Sequence, residues 1–269
     1  MAEYSLAQLQ RHDSPANLGF KNPLMQQVSD TAERIAPTEL SVIIVGEQGT
    51  GKERLARWIH SSSPRSGGPF TIVDCGALNE GQIEDELFGV ELLTWEGITI
   101  KSGILEESAE GTLLLDEFQF VPVDLQVRFA RAVEYKSIVR RGGTTMISVN
   151  PRIIATMTLP RRRDRRESLL ADEIHHRLNP VLINLPPLRE RREDIPELIS
   201  WFIRQVRETR NVPVQGISDE AIRCCLEFEW PGNVRHLKNA IEYASVMSKG
   251  GTIVPSHLPE YVAKVVEKL

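Results

Sequence analysis

The strongest constraint on the fold is a glycine-rich turn that lies between an apolar strand and a helix. Residues 41–45, SVIIV, form a short β-branched run typical of a buried parallel strand. The turn Gly46-Glu-Gln-Gly-Thr-Gly-Lys52 follows at once, and residues 53–61 have the apolar spacing of a helix. Such a turn directs backbone N–H groups at phosphate oxygens, and the N-terminus of the next helix faces the same anion. We therefore predict a phosphate-binding loop in which Lys52 reaches the β and γ phosphates. Its residues are Gly46, Glu47, Gly49, Thr50, Gly51, Lys52 and Glu53.

An acidic pair supplies the second half of the predicted nucleotide site. The apolar run Leu113-Leu-Leu115 predicts a strand, and Asp116 and Glu117 follow it directly. The carboxyl ends of parallel strands meet at one edge of a sheet, where the phosphate-binding loop also lies. We expect Asp116 to hold Mg²⁺ through its water shell and Glu117 to orient the attacking water. ATP and Mg²⁺ are thus the expected cofactors, and ATP hydrolysis is the expected reaction.

Alternating strands and helices predict the fold class. The predicted strands are residues 41–45, 70–73, 113–115, 151–157 and 181–185. Together with helices at residues 23–36, 53–61 and 123–135, they predict an α/β fold with a parallel sheet covered by helices. From about Asp194 the patterns are helical only, at residues 195–207, 219–228 and 233–247, with Ser218 as an N-cap. The predicted organisation is a lead-in segment (1–22), an α/β nucleotide-binding subdomain (23–190) and a small all-helical lid subdomain (191–269).

Composition excludes several other classes of protein. The formal net charge of the 269 residues is -5, so the chain as a whole is not a basic nucleic-acid binder. No apolar stretch approaches the roughly 20 residues of a membrane span, and the N-terminus has no signal-peptide pattern. Cys75, Cys224 and Cys225 lack metal-ligand spacing and are expected to be reduced, buried thiols. We therefore expect a cytoplasmic protein without a membrane partner.

With these residues in view, the chain resembles the AAA+ domain of bacterial enhancer-binding proteins, the activators of sigma-54 RNA polymerase. The resemblance covers roughly Leu18 to Leu258, and it accounts for Glu53, since this family has its own variant of the phosphate loop. The motifs are Gly46-Glu-Gln-Gly-Thr-Gly-Lys-Glu53, Asn79-Glu80, Glu86-Leu-Phe-Gly89, Gly111-Thr-Leu-Leu-Leu-Asp-Glu117, Arg177-Leu-Asn179, Leu185-Pro-Pro-Leu-Arg-Glu-Arg191 and Trp230-Pro-Gly-Asn-Val-Arg235.

The resemblance implies a ring, usually a hexamer, with ATP bound at subunit interfaces. Arg177 matches the family's arginine finger, which reaches the γ-phosphate of the neighbouring subunit. Arg235 matches the sensor arginine of the lid, which contacts nucleotide within its own subunit. Asp74 stands where the family usually has an Asn that senses the γ-phosphate through the catalytic Glu; Asp cannot donate as Asn does. The resemblance implies contact with DNA only through a domain absent from this chain.

One departure from the family concerns the loop that engages the sigma factor, whose family sequence is GAFTGA. The matching residues here are Leu93, Thr94, Trp95, Glu96, Gly97 and Ile98. Trp95 keeps an aromatic ring, whereas Glu96 places a charge where the family has Thr. We favour the interpretation that ordinary sigma-54 remodelling is lost; the alternative is that Trp95 substitutes for the family's aromatic residue.

Three further departures concern the finger arginines, the polar sensor and the segment that follows the sensor. Ala171 takes the place of the first of two finger arginines, and Thr158 takes the place of the polar sensor Asn. The run Arg161-Arg-Arg-Asp-Arg-Arg166 replaces a longer family segment. This run is either a solvated loop, the interpretation we favour, or a site for an anion, a nucleic-acid backbone or a nucleotide second messenger.

Two functions from different classes follow. The first is an ATP-hydrolysing ring that couples its cycle to remodelling of sigma-54 RNA polymerase or a related partner. The second is a nucleotide-binding regulatory module with little hydrolysis, acting with the housekeeping polymerase or as one subunit of a mixed ring. The intact Lys52, Asp116 and Glu117 favour the first, and the altered loop, Ala171 and Thr158 favour the second.

Overall fold

A computed structural model describes residues 20–95, 97–159, 174, 177–210 and 212–264, with the backbone alone for Leu93 and Thr94. These residues form two compact units. The α/β unit contains Thr31–Val45 and Lys52–Asn184. The lid unit contains the described residues up to Asp30, the loop Gly46–Gly51, and those from Leu185 onward. The subdomain boundaries given above stay a prediction.

The secondary-structure elements alternate through the first two thirds of the chain. The strands are β1 (Val42–Gly46), β2 (Phe70–Asp74), β3 (Val90–Thr94), β4 (Gly97–Lys101), β5 (Thr112–Asp116), β6 (Ser137–Val139), β7 (Met146–Ser148), β8 (Arg152–Thr158), β9 (Val181–Leu185), β10 (Gly216–Ile217) and β11 (Thr252–Ile253). The α-helices are α1 (Pro23–Ile35), α2 (Lys52–Ser61), α3 (Glu80–Phe88), α4 (Ile104–Glu107), α5 (Val123–Tyr135), α6 (Ile195–Arg210), α7 (Asp219–Glu227), α8 (Asn233–Met247) and α9 (Glu260–Ala263).

The central sheet has five strands in the order β2-β5-β8-β1-β9. β2 pairs in parallel with β5, from Phe70 opposite Thr112 to Asp74 opposite Asp116. β5 pairs in parallel with β8, with Thr112 opposite Arg152. The register brings the ends of these strands to one edge of the sheet. The predicted α/β fold and its five strands are confirmed.

The core of the α/β unit is built from the apolar runs that predicted its strands. Leu113, Leu115 and Ile153 are buried in the sheet, and Phe129 of α5 packs into the same cluster. Burial of such side chains is worth about 1.5–3 kcal/mol each. Arg152 is also buried, and its guanidinium donates to the Ile35 and Ala36 carbonyls at 2.8 and 2.7 Å, which satisfies the end of α1.

The lid unit has its own core around Trp230, which is fully buried. Its indole Nε1 donates to the Cys225 carbonyl at 2.7 Å. Ser218 caps α7 as predicted, since its Oγ accepts from the Ala221 N–H at 3.3 Å. The prediction of helices only was wrong in one detail: β10 and β11 form a short parallel pair.

The three cysteines are free and buried, as predicted. Burial raises the pKa of the Cys225 thiol to about 12. Within the described ranges, no helix is long and apolar enough to cross a membrane.

Candidate nucleotide-binding site

The phosphate loop connects β1 to α2, and two of its glycines have left-handed backbones. Gly49 has φ 78° and Gly51 has φ 106°, conformations that L side chains rarely adopt. A Cβ on Gly49 would lie 2.3 Å from the Gly232 carbonyl oxygen. The loop therefore requires glycine at position 49 for both conformation and space. Helix α2 begins at Lys52, so its first N–H groups lie next to the loop.

Side chains of the lid unit fix the loop backbone. Asn233 donates from Nδ2 to the Gln48 carbonyl at 2.9 Å and to Glu47 at 3.2 Å. Arg191, fully buried, donates to the Thr50 carbonyl at 2.9 Å, and burial lowers the pKa of its guanidinium to about 10. The backbone N–H of Arg235 donates to the Gly49 carbonyl at 3.2 Å. The carbonyl groups of residues 48–50 of the loop thus accept hydrogen bonds from lid residues, which fixes the loop backbone.

Glu47, predicted to bind nucleotide, forms a bidentate ion pair. Arg189 Nη1 and Nη2 donate to its carboxylate at 2.8 and 2.7 Å, and this hydrogen bonding raises the pKa of Arg189. Sequence reasoning did not assign roles to Arg189, Arg191 and Asn233. The signal was present, since all three lie in the family motifs at residues 185–191 and 230–235.

Lys52, Thr158 and Glu117 form a hydrogen-bonded chain in the α/β unit. Lys52 is 6% exposed, and its Nζ donates to Thr158 Oγ1 at 2.7 Å. Thr158 Oγ1 donates to Glu117 Oε1 at 2.6 Å, and Lys52 Nζ lies 3.9 Å from the same oxygen. The structure therefore brings together the cation and the carboxylate that the sequence assigned to phosphate and water, with the sensor-position Thr158 between them.

Asp116 and Glu117 are fixed by buried Thr156. The Thr156 hydroxyl donates to Asp116 Oδ1 and accepts the Glu117 N–H at 3.1 Å. Glu117 has φ 54°, a left-handed conformation that is uncommon for a residue with a side chain. Thr156 thus satisfies a backbone N–H at a strained position and orients the carboxylate beside it.

The arrangement fits a magnesium nucleotide in its donor chemistry. In the described part of the chain, no group of three or more His, Cys, Asp or Glu side chains is placed to hold a metal ion. Mg²⁺ is usually bound by one or two carboxylates together with substrate phosphates and waters. Asp116, at the end of β5 and partly exposed, offers one such carboxylate.

Asp74 is exposed at the end of β2, opposite Asp116 in the sheet. Its Oδ1 accepts the Gly76 N–H at 3.0 Å, which closes a local turn. The next residue, Cys75, has a buried thiol, whose pKa is raised to about 12 by burial and then by the charges of Asp74, Asp116 and Glu117. The charges of all three carboxylates thus act on Cys75, and the predicted role of Asp74 beside Glu117 stays a prediction.

Glu53 is half-exposed on α2 and pairs with Arg57 one turn later. Arg57 Nε and Nη2 donate to Glu53 Oε1 at 3.0 and 2.8 Å. Because both side chains are exposed, this pair contributes little to stability. Its geometry places the Glu53 carboxylate along the helix surface.

Arg177, the predicted finger, is paired within its own chain. Its Nη1 donates to Glu134 near the C-terminal end of α5, and hydrogen bonds to Glu134 and Tyr135 raise the pKa of Arg177. Arg235, the predicted lid sensor, is exposed in the first turn of α8. The hydrogen bonds of Arg177 are thus to residues at the end of α5 and not to Lys52, Thr158 or Glu117.

The predicted partner loop is the tip of an antiparallel hairpin of β3 and β4, with Leu93 opposite Ile98 and Thr94 opposite Gly97. Trp95 is 94% exposed and Ile98 is 63% exposed. At the base, Glu91 N–H donates to the Arg141 carbonyl at 2.8 Å and Arg141 N–H to the Gly89 carbonyl at 3.0 Å. The hairpin therefore has a hydrogen-bonded base, and the Trp95 and Ile98 side chains face solvent at its other end. Glu96, Ala171 and the run Arg161–Arg166 lie outside the described residues.

The α/β unit has a phosphate loop and an acidic strand end, and a helical lid unit accompanies it. These features define the AAA+ class of nucleotide-binding proteins, which the sequence predicted. Comparisons with known proteins agree. Residues 18–184 match the family model of the Sigma-54 interaction domain, and residues 189–268 match that of the AAA+ ATPase lid domain. The chain therefore belongs to the sigma-54 interaction domain family of AAA+ transcriptional regulators, and the resemblance inferred from sequence is confirmed.

Curated relatives of this chain are named as regulatory proteins. The transcriptional regulatory protein FlbD of Caulobacter vibrioides is 39% identical over 242 residues, which is 90% of this chain and 53% of FlbD. The regulatory protein AtoC of Escherichia coli is 38% identical over 91% of this chain and 53% of AtoC. The chain thus spans about half the length of the curated relatives it matches.

A solved structure is also similar to this chain. The crystal structure of NtrX from Brucella abortus in complex with ATP is 33% identical, with a TM-score of 0.77 over 90% of this chain and 56% of NtrX. That relative binds ATP on a fold shared with this chain.

Proposed function

We propose that the chain binds and hydrolyses ATP, with Mg²⁺ as the accompanying ion. The observation that carries this proposal is the chain of hydrogen bonds from Lys52 through Thr158 to Glu117, with Asp116 held beside it by Thr156. It places one cation and two acidic side chains at the carboxyl edge of a parallel sheet, where such folds bind ligands. NtrX, with the same fold, is bound to ATP.

Each residue has a role set by its chemistry. The loop N–H groups and Lys52 would bind the phosphates, and Arg235 would contact the nucleotide from its place beside Gly49. Asp116 would hold Mg²⁺, which supplies charge neutralisation at the phosphates when bound. Glu117 would accept a hydrogen bond from the attacking water. The oxygen of this water bonds to the γ-phosphorus as the bond between the γ-phosphorus and the β,γ-bridging oxygen breaks. The products are ADP and inorganic phosphate.

A steady-state ATPase assay over a series of protein concentrations tests this proposal. Wild-type chain is expected to release phosphate, and Lys52→Ala to fall to the level of a blank because the β and γ phosphates lose their cation. Arg57→Ala is the matched control, since it removes a cation from the exposed side of the same helix. Nucleotide binding without phosphate release at any concentration would overturn hydrolysis and favour the regulatory-module function.

We further propose that the ATP cycle is coupled to sigma-54 RNA polymerase or a related partner through the hairpin tip, residues 93–98. The support is family membership and the exposure of Trp95 above a fixed hairpin base. An exposed indole ring of this kind is typical of a binding surface rather than of a folding core. We also propose that copies of the chain assemble into a ring. Size-exclusion chromatography with light scattering measures the mass of that assembly.

Capture of purified sigma-54 by the chain bound to ADP–aluminium fluoride tests the contact. Trp95→Ala is expected to abolish capture while ATP turnover is unchanged, because the Trp95 side chain is 94% exposed to solvent and is not part of the Lys52–Thr158–Glu117 chain. Ile100→Ala is the control, since Ile100 is 54% exposed on the same hairpin but away from its tip. No capture by the wild type would exclude sigma-54 and leave a related partner, such as the housekeeping polymerase.

A further inference from the structure

Gln119 lies two residues after Glu117, in a short 3₁₀ turn that spans Phe118–Phe120, and is partly buried. Its Nε2 donates a hydrogen bond to Glu117 Oε2. Its Oε1 accepts the Thr158 N–H at 3.4 Å. Because Thr158 Oγ1 donates to Glu117 Oε1, both oxygens of the Glu117 carboxylate are held by side chains on this edge of the sheet.

The Thr158 hydroxyl has a single proton to donate. In this structure it accepts from Lys52 and donates to Glu117. A γ-phosphate that recruits Lys52 and the Thr158 hydroxyl would withdraw that donor from Glu117 Oε1. Oε1 would then be open to a water molecule, and among the described residues the Gln119 amide would remain as the side-chain donor that fixes the carboxylate through Oε2.

The side chain at position 74 cannot donate a hydrogen bond to the Glu117 carboxylate. An Asp side chain accepts hydrogen bonds when ionised but does not donate them, and Asp74 Oδ1 accepts the Gly76 N–H. The resemblance described above places an Asn at this position in the family, acting through the catalytic Glu. In this chain the amide that donates to Glu117 belongs to Gln119 instead.

We propose that Gln119 is a positioning residue for Glu117: its amide fixes the water-orienting carboxylate, replacing the donor that Asp74 lacks. The proposal rests on the proposed ATP hydrolysis and names the group that controls its key carboxylate. Gln119 acts through Glu117, so it should affect turnover of bound ATP while leaving ATP affinity unchanged.

The test compares two substitutions in the full chain. Gln119→Met keeps the length of the side chain and removes the amide, whereas Gln119→Glu keeps an acceptor for the Thr158 N–H but cannot donate when ionised. Both are expected to lower kcat roughly tenfold, a part of the 10²–10⁴-fold that a positioned base contributes, with KM unchanged. Titration with a non-hydrolysable ATP analogue should give the wild-type Kd, and retention of ADP–aluminium fluoride should fall.

A second substitution separates positioning from packing. Asp74→Asn in the Gln119→Met background returns an amide donor to the neighbouring strand end and is expected to raise kcat. A packing defect at Gln119 would not respond to a change at position 74. Urea denaturation of each variant shows whether the fold is retained.

The outcomes are distinct from those of the proposed function. Wild-type chain that releases no phosphate overturns the proposed function, and this inference with it. Wild-type turnover that Gln119→Met leaves intact overturns this inference alone. A Gln119→Met loss that follows a loss of nucleotide affinity, or that Asp74→Asn does not raise, also overturns it.

Discussion

His60, in the last turn of the helix α2 that begins at Lys52, shows how burial sets the charge of a single residue. Its ring is 4% exposed, and Nδ1 lies 2.8 Å from the Thr112 Oγ1 at the start of β5. Burial, then the charges of Arg152 and Arg57, lower the pKa of His60. The folded chain therefore holds this ring neutral at pH values where an unfolded chain takes up a proton.

This shift predicts a pH dependence of stability. Because the pKa is lower in the folded state, the unfolded state binds the proton first as the pH falls below about 6.5, the ordinary value for His. His60 therefore lowers the free energy of unfolding as the pH falls from about 6.5, down to the pKa of the folded state. Urea denaturation between pH 8 and pH 5 measures it.

The control is His60→Gln, which cannot titrate but keeps hydrogen-bonding capacity toward Thr112. Carboxylates contribute equally to both proteins, so the difference between their curves isolates His60. The His60→Gln curve is expected to be flatter below pH 6.5. Parallel curves for the two proteins would contradict the depressed pKa.

At the scale of elements, the sequence predicts those that bury an apolar face. Helix α5 and strand β5 agree with their predicted positions, because their apolar periodicity follows from packing into one core. The hairpin of β3 and β4 was not predicted as strands. Its apolar side chains include Leu92, Ile98 and Ile100, all of which are exposed to solvent. They do not pack into a core, so the sequence carries no pattern of a buried strand face here.

The same reasoning explains which parts of the candidate site were predictable. Lys52, Asp116 and Glu117 lie in a strand–turn–helix and at a strand end, where position along the chain fixes position in the sheet. The pairing of Glu47 with Arg189 joins residues far apart in the chain. The pairing of Gln119 with Glu117 is local, but it depends on side-chain rotamers and on the left-handed backbone at Glu117. No spacing in the sequence encodes those contacts.

At the scale of the whole molecule, the described residues form one hydrophobic core in the α/β unit and another in the lid unit. The phosphate loop Gly46–Gly51 belongs to the lid unit by its contacts, whereas Lys52, the next residue, belongs to the α/β unit. The predicted phosphate-binding residues are therefore divided between the two units along the chain. A sequence pattern finds the loop but not this division, because the division depends on long-range contacts with Asn233 and Arg191.

Arg177 provides the prediction that belongs to the assembled molecule. In this chain it pairs with Glu134. If it acts in trans on a neighbouring subunit, Arg177→Ala is expected to lower turnover by roughly 10³–10⁵-fold, the range for a supplied arginine, while nucleotide affinity is retained. Lys52→Ala is expected to be inactive for a different reason, since its own site cannot hold the phosphates.

Mixing the two inactive variants distinguishes action in trans from action in cis. A Lys52→Ala subunit still carries Arg177, and an Arg177→Ala subunit still carries a complete phosphate loop. When they share a ring, some active sites contain both groups, so phosphate release should rise above the sum of the separate proteins. Arg177→Lys serves as the control for charge without the planar fork of a guanidinium. Turnover that stays at the sum, although light scattering shows mixed assemblies, would mean that Arg177 does not complete a neighbour's site.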